Sequence, residues 1–340
     1  MFGLTRDIGI DLGTATVLVY IKGKGVVLHE PSVVAMDSRT GKVLAVGTDA
    51  NQMVGRTPGN IKAIRPLRDG VIADFDVTEI MLKHFINKVY GPMLFLKPRV
   101  MVCVPAGITS VEQRAVLEAV KRTGAREVYL IEEPRAAALG AGLEIFQPVG
   151  SMVIDIGGGT TDIAVMSMGD IVSSASVRMG GNRFDEAIIR YIRDKYNVMI
   201  GEKTAEEIKI HVASVHPQGR KERMEVRGRD LVSGLPRSLV ITSEEAGRAL
   251  AEPVASIMRS IVQVLESTPP ELHSDIMDKG IVLTGGGSLL HGLDDYLSDN
   301  VGAPVIIAEN PISCVVQGTG RALELLDYIK STLISDKMIS

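Results

Sequence analysis

The sequence predicts an α/β fold in which two similarly built lobes flank a cleft, and three observations carry that expectation. One Gly-rich hairpin occurs twice, as Ile8-Gly9-Ile10-Asp11-Leu12-Gly13-Thr14-Ala15 and as Val153-Ile154-Asp155-Ile156-Gly157-Gly158-Gly159-Thr160-Thr161-Asp162. Asp11 and Asp155 lie 144 residues apart, a separation of one domain length. Strand and helix patterns alternate after the first copy and return after the second, the order of a mainly parallel sheet. At 340 residues the chain also exceeds the size at which a single core stops growing.

Each hairpin runs from an apolar strand into an Asp, a Gly-rich turn with Thr, and a β-branched strand. Consecutive backbone N–H groups in such a turn, unobstructed by side chains, form an anion-binding concavity. A lone Gly-rich turn says little, since most are ordinary hairpin turns. A matched pair, each behind a strand-terminal Asp, points to one phosphate chain gripped from both sides.

Val17 to Ile21, Gly25 to Leu28, Ser32 to Met36 and Val43 to Val46 then read as strands separated by turn signals. Asp76-Val77-Thr78-Glu79 reads as an N-cap opening a helix with Ile80, Phe85 and Val89 inward. Arg99 to Val104 is a strand, and Ser110-Val111-Glu112-Gln113 is a capping box for a helix to Thr123 whose Val116, Leu117 and Val120 share one face. Val128 to Ile131 is a strand, after which Glu132-Glu133-Pro134 leads into an Ala-rich helix. The second half repeats the plan with hairpins from Met152 to Val177, a helix from Arg183 to Tyr196, and a capping box at Thr204-Ala205-Glu206-Glu207. Thr242-Ser243-Glu244-Glu245 caps a long helix in which Pro253 predicts a kink. Ile281 to Leu283 is a strand running into Gly285-Gly286-Gly287 and a helix. These patterns place lobe I at residues 1–148 with a small β-rich insertion at 32–65, lobe II at 149–312 with an insertion at 182–240, and a C-terminal helix at 313–340 returning to lobe I.

Composition narrows the function. The net charge is −4, so no concentrated basic face is expected and nucleic acid is not a favoured partner. The one dense basic run, Arg220-Lys221-Glu222-Arg223, reads as a solvated loop. Cys103 and Cys314 read as buried small hydrophobes of a reducing cytosol. The six histidines show no metal spacing and no attached nucleophile. Met1 to Ile10 lacks the apolar core of a signal peptide, and no stretch reaches the roughly 18 apolar residues needed to span a bilayer. A cytoplasmic chain is expected, unless something holds it at a surface. A mean hydropathy of +0.19 leaves room for an apolar contact surface.

The two phosphate loops, Glu132-Glu133-Pro134 and Thr284-Gly285-Gly286-Gly287 resemble those of the actin, Hsp70 and sugar kinase superfamily. Asp11-Leu12-Gly13-Thr14-Ala15, Gly55-Arg56-Thr57-Pro58-Gly59, Arg65-Pro66-Leu67, Asp69-Gly70-Val71-Ile72-Ala73-Asp74 and Gly228-Arg229-Asp230-Leu231 are similar to the MreB family of bacterial actins, including Mbl and MreBH, from Asp7 to about Leu326. The resemblance implies an actin-like ATPase fold, with ATP and Mg2+ in the cleft. Asp11 and Asp155 would orient the water shell of Mg2+, an ion that prefers oxygen and keeps several waters. Thr14 and Thr160 would meet phosphate oxygens, and Gly13, Ala15, Gly157, Gly158 and Gly159 would offer backbone amides. Glu133 is placed where a side chain handles the water attacking the γ-phosphate, with Thr160 beside it and Glu132 as the alternative. Glu206 and Lys209, otherwise an ordinary i,i+3 helix pair, would edge the ribose and base with Glu207. Gly285, Gly286, Gly287 and Ser288 would meet the adenosine and α-phosphate.

Gly91 to Arg99 joins a helix to a strand yet carries Met93-Leu94-Phe95-Leu96 in succession. Such a loop either packs under its own domain or marks an interface. The resemblance favours the second, with Leu94 and Phe95 in the cytoplasmic membrane and Met1, Phe2 and Leu4 assisting. It further implies a weak ATPase coupled to polymerisation, filaments of paired antiparallel protofilaments on the inner membrane face, and membrane-bound cell-shape and wall-synthesis proteins as partners that together maintain rod shape. A small-molecule kinase of the same superfamily is the alternative, but neither a base nor a polar pocket for the acceptor is clearly marked. An Hsp70-like chaperone is disfavoured, because no peptide-binding domain follows the matched region.

Overall fold

The computed structural model describes residues 7–90, 97–330 and 333–335. The chain opens with strands β1 (Ile8–Leu12), β2 (Thr16–Ile21), β3 (Gly25–Pro31), β4 (Val34–Asp37) and β5 (Val43–Val46). Helix α1 (Thr48–Met53) and strands β6 (Ile61–Ile64), β7 (Leu67–Arg68) and β8 (Val71–Ile72) precede α2 (Phe75–Tyr90). Then come β9 (Arg99–Val104), α3 (Ser110–Lys121), β10 (Glu127–Glu132) and α4 (Glu133–Ala141). The second half runs β11 (Ser151–Ile156), β12 (Thr161–Ser167), β13 (Asp170–Val177), α5 (Gly181–Tyr196), β14 (Val198–Met199), α6 (Glu202–His211), β15 (Arg223–Asp230) and β16 (Pro236–Thr242). It continues through α7 (Ser243–Glu266), α8 (Pro270–Lys279), β17 (Ile281–Thr284), a 3₁₀ turn at Gly286–Leu289, α9 (Leu293–Val301) and β18 (Val305–Ile307). Helices α10 (Cys314–Glu324) and α11 (Leu326–Ile329) and strand β19 (Ile334–Ser335) close it.

Two mixed sheets organise these elements, in the orders β19-β10-β9-β1-β2-β3 and β13-β12-β11-β17-β18. The duplication seen in the sequence is a duplication of pairing. β1 lies parallel to β9 and antiparallel to β2, just as β11 lies parallel to β17 and antiparallel to β12. Each Asp is therefore delivered to the same place, the end of a buried strand at the mouth of a hairpin turn. Two smaller sheets, β5-β4-β6 and β14-β15-β16, stand beside the main ones.

The two main sheets are joined through a close crossing of α4 and α10. A Cβ on Gly140 would stand 1.8 Å from the Cys314 carbonyl oxygen, and one on Gly318 only 1.7 Å from that of Ala136. Only glycine lets the two backbones approach so closely. Helix α10 also packs on β1, β2 and β9 while α4 packs on β11 and β12, so this crossing is where the halves of the molecule meet.

Local signals hold with small displacements. Helix α2 is capped by Asp74, whose carboxylate accepts the Val77 N–H at 3.1 Å, and Asp76 instead sits in the first turn. Its inward face is Val77, Met81, Leu82, Phe85 and Ile86, with Val89 partly buried against the same core; Ile80, expected inward, is exposed because it lies off that stripe. The box on α3 uses Thr109, one residue before the expected Ser110, with Glu112 returning the hydrogen bond. Thr242 and Glu245 form the expected box on α7, which runs on as helix through Pro253. No box forms at Thr204, because α6 has already begun after Gly201 and Thr204 lies inside its first turn. Arg220, read as part of a solvated loop, instead donates to the carbonyls of Ile210 and Ala213 at 2.7 and 2.8 Å and so closes the end of α6. Cys103 and Cys314 are both buried.

Candidate functional site

The two hairpin turns touch each other across the cleft. A Cβ on Gly158 would lie 2.5 Å from the Ala15 methyl, and one on Gly159 would lie 2.6 Å from the Thr14 hydroxyl. Glycine at these positions keeps the loops in contact and their amides uncovered. Beside them opens a cavity of about 380 Å³, a size ordinary for a small-molecule site.

Asp11, Gly13, Thr14, Ala15, Glu133, Asp155, Gly157, Gly158, Gly159, Thr160, Glu206, Lys209, Gly285, Gly286 and Gly287 all line this cavity. Two expected residues do not. Glu207 points to solvent from α6, and Ser288 is buried behind the lining, its hydroxyl donating to the Gly285 carbonyl at 2.6 Å. Leu94 and Phe95 lie outside the described residues. The sequence reading missed Gly70, Asn182, His29 and an apolar rim of Ile210, Leu289 and Ile312. The rim comes from three separate elements, so no local pattern marks it.

Glu133 opens α4 and is buried, while Glu132 turns outward to pair with Arg135 at 3.5 Å. The Glu206–Lys209 pair suggested by helix spacing does not form. Lys209 instead reaches Asp185 on α5 at 2.9 Å and donates to the Gly181 carbonyl at 3.2 Å. Burial lifts Asp185 to about 6 despite this partner.

Four carboxyl groups gather behind the hairpins, and burial raises every one of them. Asp11 rises to about 6, held back by the Cys103 thiol that donates to it at 3.3 Å. Asp155 rises to about 7, opposed by the Thr284 hydroxyl donating at 2.6 Å and reinforced by the charges of Asp11 and Asp162. Asp162 rises to about 6 although it accepts the Ala106 N–H at 2.9 Å. Glu133 is pushed well above the usual range by burial and then by Asp162, Asp11 and Asp155. Among the described residues none of the four forms an ion pair, and no three His, Cys, Asp or Glu are spaced to hold a bare metal ion. Buried acidic charge without a cation beside it is a setting that suits a hydrated divalent ion bound with an anionic ligand.

The profile of the MreB/Mbl protein family matches residues 5–331. The chain belongs to the MreB/Mbl family. It is 60% identical over 330 residues to the cell shape-determining protein Mbl of Bacillus subtilis strain 168, covering 97% of this chain and 99% of that protein. Identity to the cell shape-determining protein MreB of Escherichia coli K12 is 54% over 338 residues, covering 98% and 97% of the two. The crystal structure of MreB 5 of Spiroplasma citri bound to AMPPNP superposes with a TM-score of 0.91 at 41% identity, over 97% of this chain and 99% of that one. A MamK double helical filament subunit superposes with a TM-score of 0.80 at 23% identity, over 94% and 99% of the chains, a likeness of fold alone. The two-sheet architecture is thus the actin-like α/β fold of the MreB/Mbl family.

Proposed function

We propose that this MreB/Mbl chain is an ATP-dependent filament subunit that binds Mg2+-ATP between its hairpins, hydrolyses it slowly, and organises cell-wall synthesis on the inner face of the cytoplasmic membrane to maintain rod shape. The observation that carries the reading is the pair of Gly-rich turns in mutual contact beside one cavity, with buried Glu133, Asp155 and Asp162 and half-buried Asp11 gathered at them. The backbone amides of Gly13, Ala15, Gly157, Gly158 and Gly159 bind the phosphates. Ile210, Leu289 and Ile312 cover the base, and Glu206 and Lys209 face the ribose. Asp11 and Asp155 hold Mg2+ through its water shell, and the ion when bound offsets phosphate charge.

Hydrolysis needs a water aligned with the γ-phosphorus and an acceptor for its proton. Glu133 supplies the acceptor, since burial makes its carboxylate more basic than one in water. Thr160 orients the same end of the phosphate chain. Nucleotide state would reach the filament through closure of the two lobes, divided near residues 148 and 312 with 313–340 returning to the first. The relatives support this reading: MreB 5 has been crystallised with AMPPNP and with ADP, and Mbl and MreB are cell shape-determining proteins. The proposed filament pairs antiparallel protofilaments and works with membrane-bound wall-synthesis proteins. No helix among the described residues is long and apolar enough to cross a membrane, and attachment is assigned to Leu94 and Phe95.

Single-turnover hydrolysis of pre-bound ATP tests the chemistry. Glu133→Ala should still bind nucleotide but hydrolyse it about 100-fold more slowly, the scale of a lost general base. A wild-type rate would remove Glu133 from the reaction.

A further inference from the structure

The turn between β7 and β8 is a two-residue Asp69-Gly70 hairpin, with φ of 51° and 79°, the left-handed pair that Asp-Gly favours. It reaches into the cleft. The Gly70 N–H donates to the Thr14 hydroxyl at 2.9 Å, and the Cα of Gly70 sits so close to Thr160 that a Cβ would meet its methyl at 3.0 Å. A threonine hydroxyl has one hydrogen to give and two lone pairs to share. With one lone pair taken by Gly70, the Thr14 hydrogen stays free for the cavity.

Asp69 completes a bridge. Its carboxylate lies 3.5 Å from the guanidinium of Arg183 on α5, which also pairs with Glu186 at 2.7 Å. The start of α5 is tied to the second hairpin, because the N–H groups of Gly181 and Asn182 donate to the carbonyls of Gly157 and Gly158 at 2.9 Å each. One continuous path therefore runs from the first phosphate loop through Gly70, Asp69 and Arg183 to the second, on the cleft side and independent of the α4–α10 crossing. Opening the cleft to release a ligand must part Asp69 from Arg183, whereas chemistry in the closed cleft leaves them together.

We infer that Asp69 and Arg183 are positioning residues that clasp the phosphate end of the cleft and set how fast nucleotide leaves it. The inference rests on the nucleotide reading above. The test uses the full chain below its assembly concentration, loaded with Mg2+ and ATP carrying a fluorescent ribose tag, then chased with excess ATP. Asp69→Asn, which tolerates the left-handed turn, and Arg183→Gln should each speed release about three- to fivefold, the range open to a partly exposed ion pair. The double variant should release no faster than the faster single one, and Arg183→Lys should recover part of the effect. Hydrolysis of pre-bound ATP in a single turnover should stay within about twofold of wild type. Unchanged release in both single variants, or effects that multiply in the double one, would overturn the clasp. If Asp69→Asn does not fold, Arg183→Gln and Arg183→Lys decide. Failure of the wild-type chain to bind the tagged ATP would strike the nucleotide reading instead.

Discussion

Asp155 stands at the end of a buried strand, opposite Asp162 in the hairpin, and can be ionised only at a cost. Such a group binds its proton more tightly folded than unfolded, so its contribution to stability falls as pH rises from about 4 in the unfolded chain to about 7 in the native one. Asp11 and Asp162, both raised to about 6, act in the same direction. Glu245 and Asp230, lowered to about 2, lose their stabilising effect only on acidification below about 4 and stay constant above it. The nucleotide-free protein should therefore melt at a lower temperature at pH 8 than at pH 5.5. Asp155→Asn should flatten that dependence, and equal slopes in thermal melts of the two proteins would contradict it. At this scale the sequence was informative wherever chemistry is local: Asp, Gly and Thr in one short run identify a phosphate loop. It was silent on Gly70 and Ile312, which reach the cavity only through the path of the chain. The start of α4 points Glu133 inward and Glu132 to Arg135, a difference that the adjacent pair of glutamates does not reveal in sequence.

Most helix ends were legible to within a residue or two, because caps are hydrogen bonds between near neighbours, but the box expected at Thr204 failed, since α6 starts three residues earlier after Gly201. Thr242 and Glu245 were found outright, whereas Asp74 and Thr109 took roles expected of Asp76 and Ser110. Each displaced cap had another capping residue close by. The α4–α10 crossing was not legible, since Gly140 and Gly318 look like ordinary helix glycines until two distant segments meet. Gly318→Val should lower stability by about 1–3 kcal/mol or more, because the added carbons collide with backbone rather than with a movable side chain. Gly59→Ala, with nothing within 4 Å of the new methyl, should change stability by no more than about 0.5 kcal/mol. Denaturant melts of the two variants give the comparison, and equal midpoints would show that the crossing is not tight.

Across the whole molecule, the lobes are linked by the helix crossing on one side and by Asp69–Arg183 and Arg65–Glu202 on the other. Filament assembly would multiply any weak contact that each subunit makes. Burying Leu94 and Phe95 in lipid would gain about 1.5–3 kcal/mol each, too little to hold a monomer firmly. A filament would present the pair repeatedly, so avidity should make lipid binding depend on polymerisation. Leu94→Ser with Phe95→Ser should detach filaments from liposomes at matched polymer content while ATP binding persists, and undiminished co-sedimentation would remove the loop from the membrane. The twofold plan was readable because duplication leaves the same residues in both halves.

All of this turns on Mg2+-ATP occupying the space between the hairpins. Calorimetric titration of ATP into wild-type and Asp155→Ala protein, each with and without Mg2+, measures that directly. Wild-type protein should bind ATP markedly more tightly when Mg2+ is present, and the variant should lose at least about tenfold in affinity, about 1.4 kcal/mol, together with most of the Mg2+ dependence. Unchanged affinity and unchanged Mg2+ dependence in Asp155→Ala would place the nucleotide elsewhere.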